Sequence, residues 1–145
     1  MAEAKQDVTR MLDSYTNAVL AKDVEAFVDL YDENVYVFDM WNSWSYEGRA
    51  AWRGLVEEWF GSLGDEQVGV EFTEVGVTAA GDMAVAHTTV TYKGLSAEGE
   101  ELRRLDNRMT WGLTKSNGSW KVVHEHSSAP ADLETAKVIL ARPRS

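Results

Sequence analysis

An aspartate set inside an apolar run is the first residue of this chain suited to chemistry. Asp39 follows Val37-Phe38 and precedes Met40-Trp41. Apolar surroundings penalise a carboxyl's charged form and raise its pKa, which suits a general base working near neutrality. The same place at the end of an apolar run also suits a turn or capping aspartate. Tyr15 is the second candidate. It shares a stripe with Val8, Met11, Leu12, Ala18 and Val19, so it is either plain core or a buried phenol whose hydroxyl faces a cavity. A carboxylate beside a phenol donor can move a proton at a carbon next to a carbonyl while the developing oxyanion is held.

A second cluster flanks Asn117-Gly118, the dipeptide that most strongly marks a two-residue hairpin. Pairing Ser116 with Ser119 and counting outward sets Gly112 opposite Val123, Thr110 opposite Glu125 and Arg108 opposite Ser127. Residues directly opposite share a face. One face is therefore expected to carry Arg108, Thr110, Glu125 and Ser127. The other is expected to carry Met109, Trp111, Leu113, Val122, His124 and His126. Arg108 and Glu125 then pair, either lining a pocket that suits a carboxylate or enol ligand or as an exposed cross-strand ion pair. His124 and His126 project from one face and, with His87, have the reach of a metal set. No carboxylate is fixed beside them, so no metal and no cofactor is assigned. They are read as a sheet-face contact between subunits, with a pocket position open to them if a bulge flips the register. Trp41 and Trp44, with Tyr46, form either the rim of a small-molecule site or packing over the open end of the core.

These residues need elements to hold them. The Tyr15 stripe has helical spacing. A second helix is expected from Asp23, a good N-cap, to about Tyr31. Val35 to Phe38 reads as a strand, apolar on both faces and covered on both. A loop carries Trp41 and Trp44. A third helix runs from about Arg49 to Phe60, where Trp52, Leu55, Val56, Trp59 and Phe60 fit the template, and Gly61 and Gly64 end it. The period then changes. Val68, Val70 and Phe72 alternate with Gly69, Glu71 and Thr73, and Gly81-Asp82 turns the chain into a strand from Met83 to Tyr92. Strands over Leu102–Lys115 and Ser119–His126 complete a four-strand meander, and Pro130 precedes a short helix or extension over Asp132–Leu140. Helices first and strands after argue an α+β fold, helices packed on one face of a curved sheet.

Composition closes other routes. The 145 residues suit a single domain over 1–145. No Cys is present, which excludes a disulfide framework and a thiol nucleophile. With 14 Lys+Arg against 24 Asp+Glu the net charge is −10, and no basic block exists to neutralise nucleic-acid phosphates. No apolar run reaches the ~20 residues of a membrane span. The charged opening MAEAKQDVTR is unlike a signal peptide, so a cytoplasmic location is expected. There is no phosphate loop, G-x-S-x-G, H-E-x-x-H or dinucleotide fingerprint.

The segments AKDVEAFVDLYDENVYVFD and NRMTWGLTKSNGSWKVVHEHSSAP resemble the opening helix–turn–helix–strand and closing hairpin of the SnoaL-like family. That family belongs to the nuclear-transport-factor-2-like superfamily, with ketosteroid isomerase and the association domain of calcium/calmodulin-dependent protein kinase type II. The resemblance implies a cone of sheet wrapped on three N-terminal helices, a cystatin-like roll with an apolar pocket at its open end and frequent dimerisation through the sheet. It implies that Tyr15 and Asp39 match the isomerase's oxyanion-binding Tyr and general-base Asp. It also puts Thr110 where the isomerase has a protonated Asp and Ser127 where the association domain has a pocket Arg, so the polar hairpin face is expected to point inward. Thr110 departs from the isomerase pattern and weakens steroid isomerisation in particular. Two functions follow as expectations. One is a cofactor-independent isomerase, cyclase or lyase acting by proton transfer on a small apolar carbonyl or enol compound. The other is a non-catalytic ligand-binding or association module.

Overall fold

The computed structural model describes residues 2–143. Helix α1 (Ala2–Ala21) buries Val8, Leu12, Tyr15, Ala18 and Val19, the stripe its spacing predicts. Helix α2 (Val24–Val28) starts where Asp23 accepts a hydrogen bond from the Ala26 amide at 3.1 Å. It ends three residues before the expected Tyr31. The Leu30 carbonyl instead accepts from the Val122 amide at 2.9 Å, and this pairing draws the chain into strand β1 (Tyr31–Phe38). Tertiary pairing overrides local helical preference here.

Within β1, Val35 and Val37 are fully buried while Tyr36 is 41% exposed. The expectation of a strand covered on both faces is corrected: only one face meets the core. The aromatic loop contains a two-residue strand β2 (Tyr46–Glu47) before helix α3 (Arg49–Ser62). Helix α3 buries Trp52, Val56 and Phe60, and Gly64 just beyond it takes a left-handed φ of 59°, a conformation that favours glycine.

Strands β3 (Gln67–Ala80), β4 (Met83–Leu95), β5 (Glu101–Ser116) and β6 (Ser119–Ser128) form the antiparallel meander. The full sheet runs β2-β1-β6-β5-β4-β3, with β1 parallel to β6 and the other pairs antiparallel. It is curved and unclosed. The three helices cover its inner face, where their apolar side chains join those of the strands in one core. Fully burying each large aliphatic or aromatic side chain contributes about 1.5–3 kcal/mol. Residues 129–143 form neither a helix nor a strand. Residues 131 and 138 make a single bridge, and the Leu140 carbonyl accepts from the Asp106 amide at 2.7 Å along β5.

The final hairpin turns at Asn117-Gly118, both with positive φ, and pairs Ser116 with Ser119 as expected. The count then slips. Leu113 pairs with Val122 but Gly112 pairs with His124, so Val123 is an extra residue on β6. Because side chains alternate with a period of two, one inserted residue exchanges the faces of everything beyond it on β6. Trp111 therefore opposes Glu125, Met109 opposes Ser127, Thr110 opposes His126 and Arg108 opposes Ser128.

Candidate functional site

The bulge decides what enters the interior. Glu125 and Ser127 turn inward with Trp111 and Met109, and all four are buried. Arg108 and Thr110 are exposed on the outer face, where Arg108 Nε donates to Ser128 Oγ at 3.2 Å. The expected polar face of Arg108, Thr110, Glu125 and Ser127 is thus divided between the two sides of the sheet. The expected Arg108–Glu125 pair does not form. His124 and His126 lie on the outer face, flanking the Phe38 ring at centroid distances of 5.1 and 5.4 Å. His124 Nδ1 is 2.6 Å from the Tyr36 carbonyl. Among the described residues no cluster of three or more His, Asp or Glu is placed to hold a metal.

Inside the sheet lies a cavity of about 530 Å³. Strand β1 delivers Asp39 to its wall, β6 delivers Glu125 and Ser127, and α1 delivers Tyr15. Trp41 stands at its rim, while Trp44 is 94% exposed and does not line it. Five of the eight expected site residues thus share one cavity; Arg108, Thr110 and Trp44 stay outside it.

Two groups donate to the Asp39 carboxylate. The Ser127 hydroxyl donates to its Oδ1 at 3.1 Å and the Trp41 amide donates to its Oδ2 at 3.4 Å. Ser127 Oγ in turn accepts from the Met40 amide at 3.2 Å. Burial raises the Asp39 pKa, against hydrogen bonds that favour the charged form. Glu125 sits deeper. Its Oε1 accepts from the Tyr31 hydroxyl at 2.5 Å and from Trp111 Nε1 at 2.8 Å. Burial pushes its pKa up to about 7; these two donors oppose that rise, and the Asp39 charge adds to it. Both donors meet the same oxygen, so a proton bound by this carboxyl belongs on Oε2.

Tyr15 does not bond to Asp39. Its hydroxyl meets that of Tyr92 at 2.8 Å, and burial raises both phenol pKa values. In such a pair one hydroxyl donates and the other accepts, and the accepting one keeps its own O–H free to donate elsewhere. Tyr92 and Tyr31 are residues that motif reasoning passes over. Tyr92 is legible in principle, because it continues the inward alternation of Ala84, Ala86, Thr88 and Val90 on β4. At the mouth, Arg103 and Arg104 are exposed and paired with Glu66 and Glu101 respectively.

Helices on a curved sheet, with a polar-floored cavity between them, define the α+β class with a cystatin-like roll. A SnoaL-like domain profile matches residues 8–132, and the chain belongs to the SnoaL-like family. An NTF2-like protein of unknown function from Pseudomonas putida superposes with a TM-score of 0.86 at 26% identity, over 99% of each chain. Aln2 from a Streptomyces species superposes at 0.79 with 16% identity, over 88% of this chain and 91% of its own. An NTF2-like protein with a cystatin-like fold from Novosphingobium aromaticivorans gives 0.75 at 18% identity, over 93% and 87%. No curated protein matches the sequence significantly. Among the described residues no helix is long and apolar enough to cross a membrane.

Proposed function

We propose that the protein is a cofactor-independent proton-transfer enzyme acting on a small, largely apolar carbonyl or enol compound. The observation that carries this reading is the shared cavity: a carboxylate of raised pKa and a phenol pair of raised pKa face one apolar-walled space. Asp39 is the base. It takes a proton from the carbon next to the carbonyl, and the electron pair moves onto the carbonyl oxygen. The free O–H of the Tyr15–Tyr92 pair donates to that oxygen as its charge grows. Glu125, with its proton on Oε2, supplies the second donor in place of the outward-facing Thr110. Asp39 then returns the proton to the same or a neighbouring carbon, and no atom is lost from the ligand.

The test uses 2-tetralone, a small enolisable ketone. In D2O the protein is expected to accelerate exchange of the hydrogens beside the carbonyl, followed by proton NMR. Added 2-naphthol, a planar mimic of the enol, is expected to suppress the acceleration. No acceleration across a panel of cyclic ketones rejects catalysis and leaves a binding module.

The protein is further proposed to pair with a second copy through the outer sheet face. Tyr36, Val85 and Met83 are exposed there, and Tyr36 packs on the Phe38 ring that the two histidines flank. Exposed apolar side chains on a sheet face suit a contact between subunits.

A further inference from the structure

Two buried polar atoms of residues lining the cavity have no hydrogen-bond partner among the described residues, the donor Trp52 Nε1 and the acceptor Asn107 Oδ1. Asn107 lies on β5 in phase with Met109 and Trp111, faces the interior, and is only 6% exposed. Its Nδ2 donates to the thioether of Met40 at 3.5 Å. A thioether sulfur accepts but cannot donate, so this contact fixes which end of the amide faces Met40. The other end, Oδ1, is buried, and among the described residues it has no hydrogen-bond partner. Its surroundings explain why. Val90, directly opposite on β4, has no side-chain donor. Ser127 donates to Asp39, the Tyr15 and Tyr92 hydroxyls bond to each other, and the one O–H that pair leaves free does not reach Asn107. A buried acceptor without a donor is costly, and such a group in a cavity wall marks where a ligand completes the bonding.

The chemistry of that ligand follows from what the wall lacks. This side of the cavity presents two acceptors, the Asp39 carboxylate and Asn107 Oδ1. A carbonyl, an ether or a bare hydrocarbon brings nothing to them; a hydroxyl does. The apolar walls are largely aromatic, with Trp59 and Tyr92 6.2 Å apart between ring centroids and Trp52 further along, and flat rings pack well against such walls. We infer that the ligand is a planar ring compound bearing a hydroxyl, a phenol or enol, and that Asn107 selects it by accepting that O–H on Oδ1. This deepens the proposed function and rests on its placing of the ligand in this cavity, but it does not require proton transfer to occur.

The experiment compares binding of 2-naphthol with that of 2-methoxynaphthalene and 2-fluoronaphthalene, which keep the ring and lack the donor. Dissociation constants are measured by calorimetry for the wild-type protein, Asn107→Leu and Asn107→Ala, each shown by its melting curve to be folded. The wild type is expected to prefer 2-naphthol by about tenfold or more, since a site built to bond a hydroxyl rejects analogues without one. In either folded variant the preference is expected to shrink to about twofold or less, mainly by weaker naphthol binding. Thr110→Val, on the outer face, is expected to keep the preference. A preference that survives unchanged in a folded Asn107 variant overturns the proposal, as does a wild type that binds the ether as tightly as the naphthol, or binds neither. Tetralone exchange is scored separately. Failed exchange with an Asn107-dependent naphthol preference removes the catalytic reading alone; normal exchange without that preference removes this one alone.

Discussion

At the scale of single residues, two carboxyl groups share one cavity and differ in how they are held. Asp39 accepts from Ser127 and Trp41, which favour its charge, whereas Glu125 is buried deeply enough to stand at about 7. That contrast has a thermodynamic consequence. Glu125 titrates near 4.5 in the unfolded chain and near 7 in the folded one, so between those values the unfolded state loses its proton first. Stability from this group is complete below about pH 4.5, falls as pH rises towards 7, and is lost above it. The total is on the order of 3 kcal/mol, and the raised pKa of Asp39 acts in the same direction. Glu125→Gln keeps an acceptor for Tyr31 and Trp111 but cannot ionise. Thermal melts from about pH 4.5 to 8 are expected to show a wild-type decline that is much flatter in this variant. Parallel curves would show that Glu125 does not titrate in this range.

At the scale of elements, the hairpin shows where sequence reading succeeds and where it stops. Helical stripes on α1 and α3, the Asp23 cap and the Asn117-Gly118 turn are local signals, and each appears in the structure. Val123 carries no such signal. It is one more β-branched residue in a strand, and its bulge emerges only when β6 must meet β5 on one side and β1 on the other. The consequence is large: an unbroken count puts Arg108 and Thr110 inside and misassigns the inward partners of Glu125. Tyr36 and Phe38 mislead for a related reason, since aromatic residues on an outer face that contacts histidines look like core in sequence. Tyr15 and Asp39 are legible because a buried stripe and an apolar frame are local, whereas the Tyr15–Tyr92 bond joins residues 77 apart. The bulge itself is testable. Deleting Val123 removes the extra residue and leaves an unbroken count in which Val122 still meets Leu113, His124 still meets Gly112 and Glu125 still meets Trp111, so the variant is expected to keep Glu125 inward and to unfold cooperatively. A deletion variant that loses cooperative unfolding would show that β6 needs the extra residue to hold this register.

At the scale of the whole molecule, an acidic chain carries exposed Tyr36, Met83 and Val85 on the outer face of its sheet and an open-mouthed cavity on the inner face. A net charge of −10 makes two copies repel at long range, and salt screens that repulsion. Light scattering is therefore expected to show a dimer that strengthens from low to physiological ionic strength, and a Val85→Glu/Tyr36→Glu variant that stays monomeric. A wild-type monomer at every salt and protein concentration would remove the dimer. The family supplies the fold and leaves open what the cavity does, so the central claim rests on Asp39. The most direct test is the rate of 2-tetralone exchange with Asp39→Asn, a near-isosteric change whose one oxygen can still accept from Ser127 while the long Trp41 amide contact loses its acceptor. The variant is expected to unfold cooperatively, to bind 2-naphthol, and to lose exchange by at least about a hundredfold, the scale of a general base's contribution. Exchange at the wild-type rate in a folded Asp39→Asn protein would contradict the central claim.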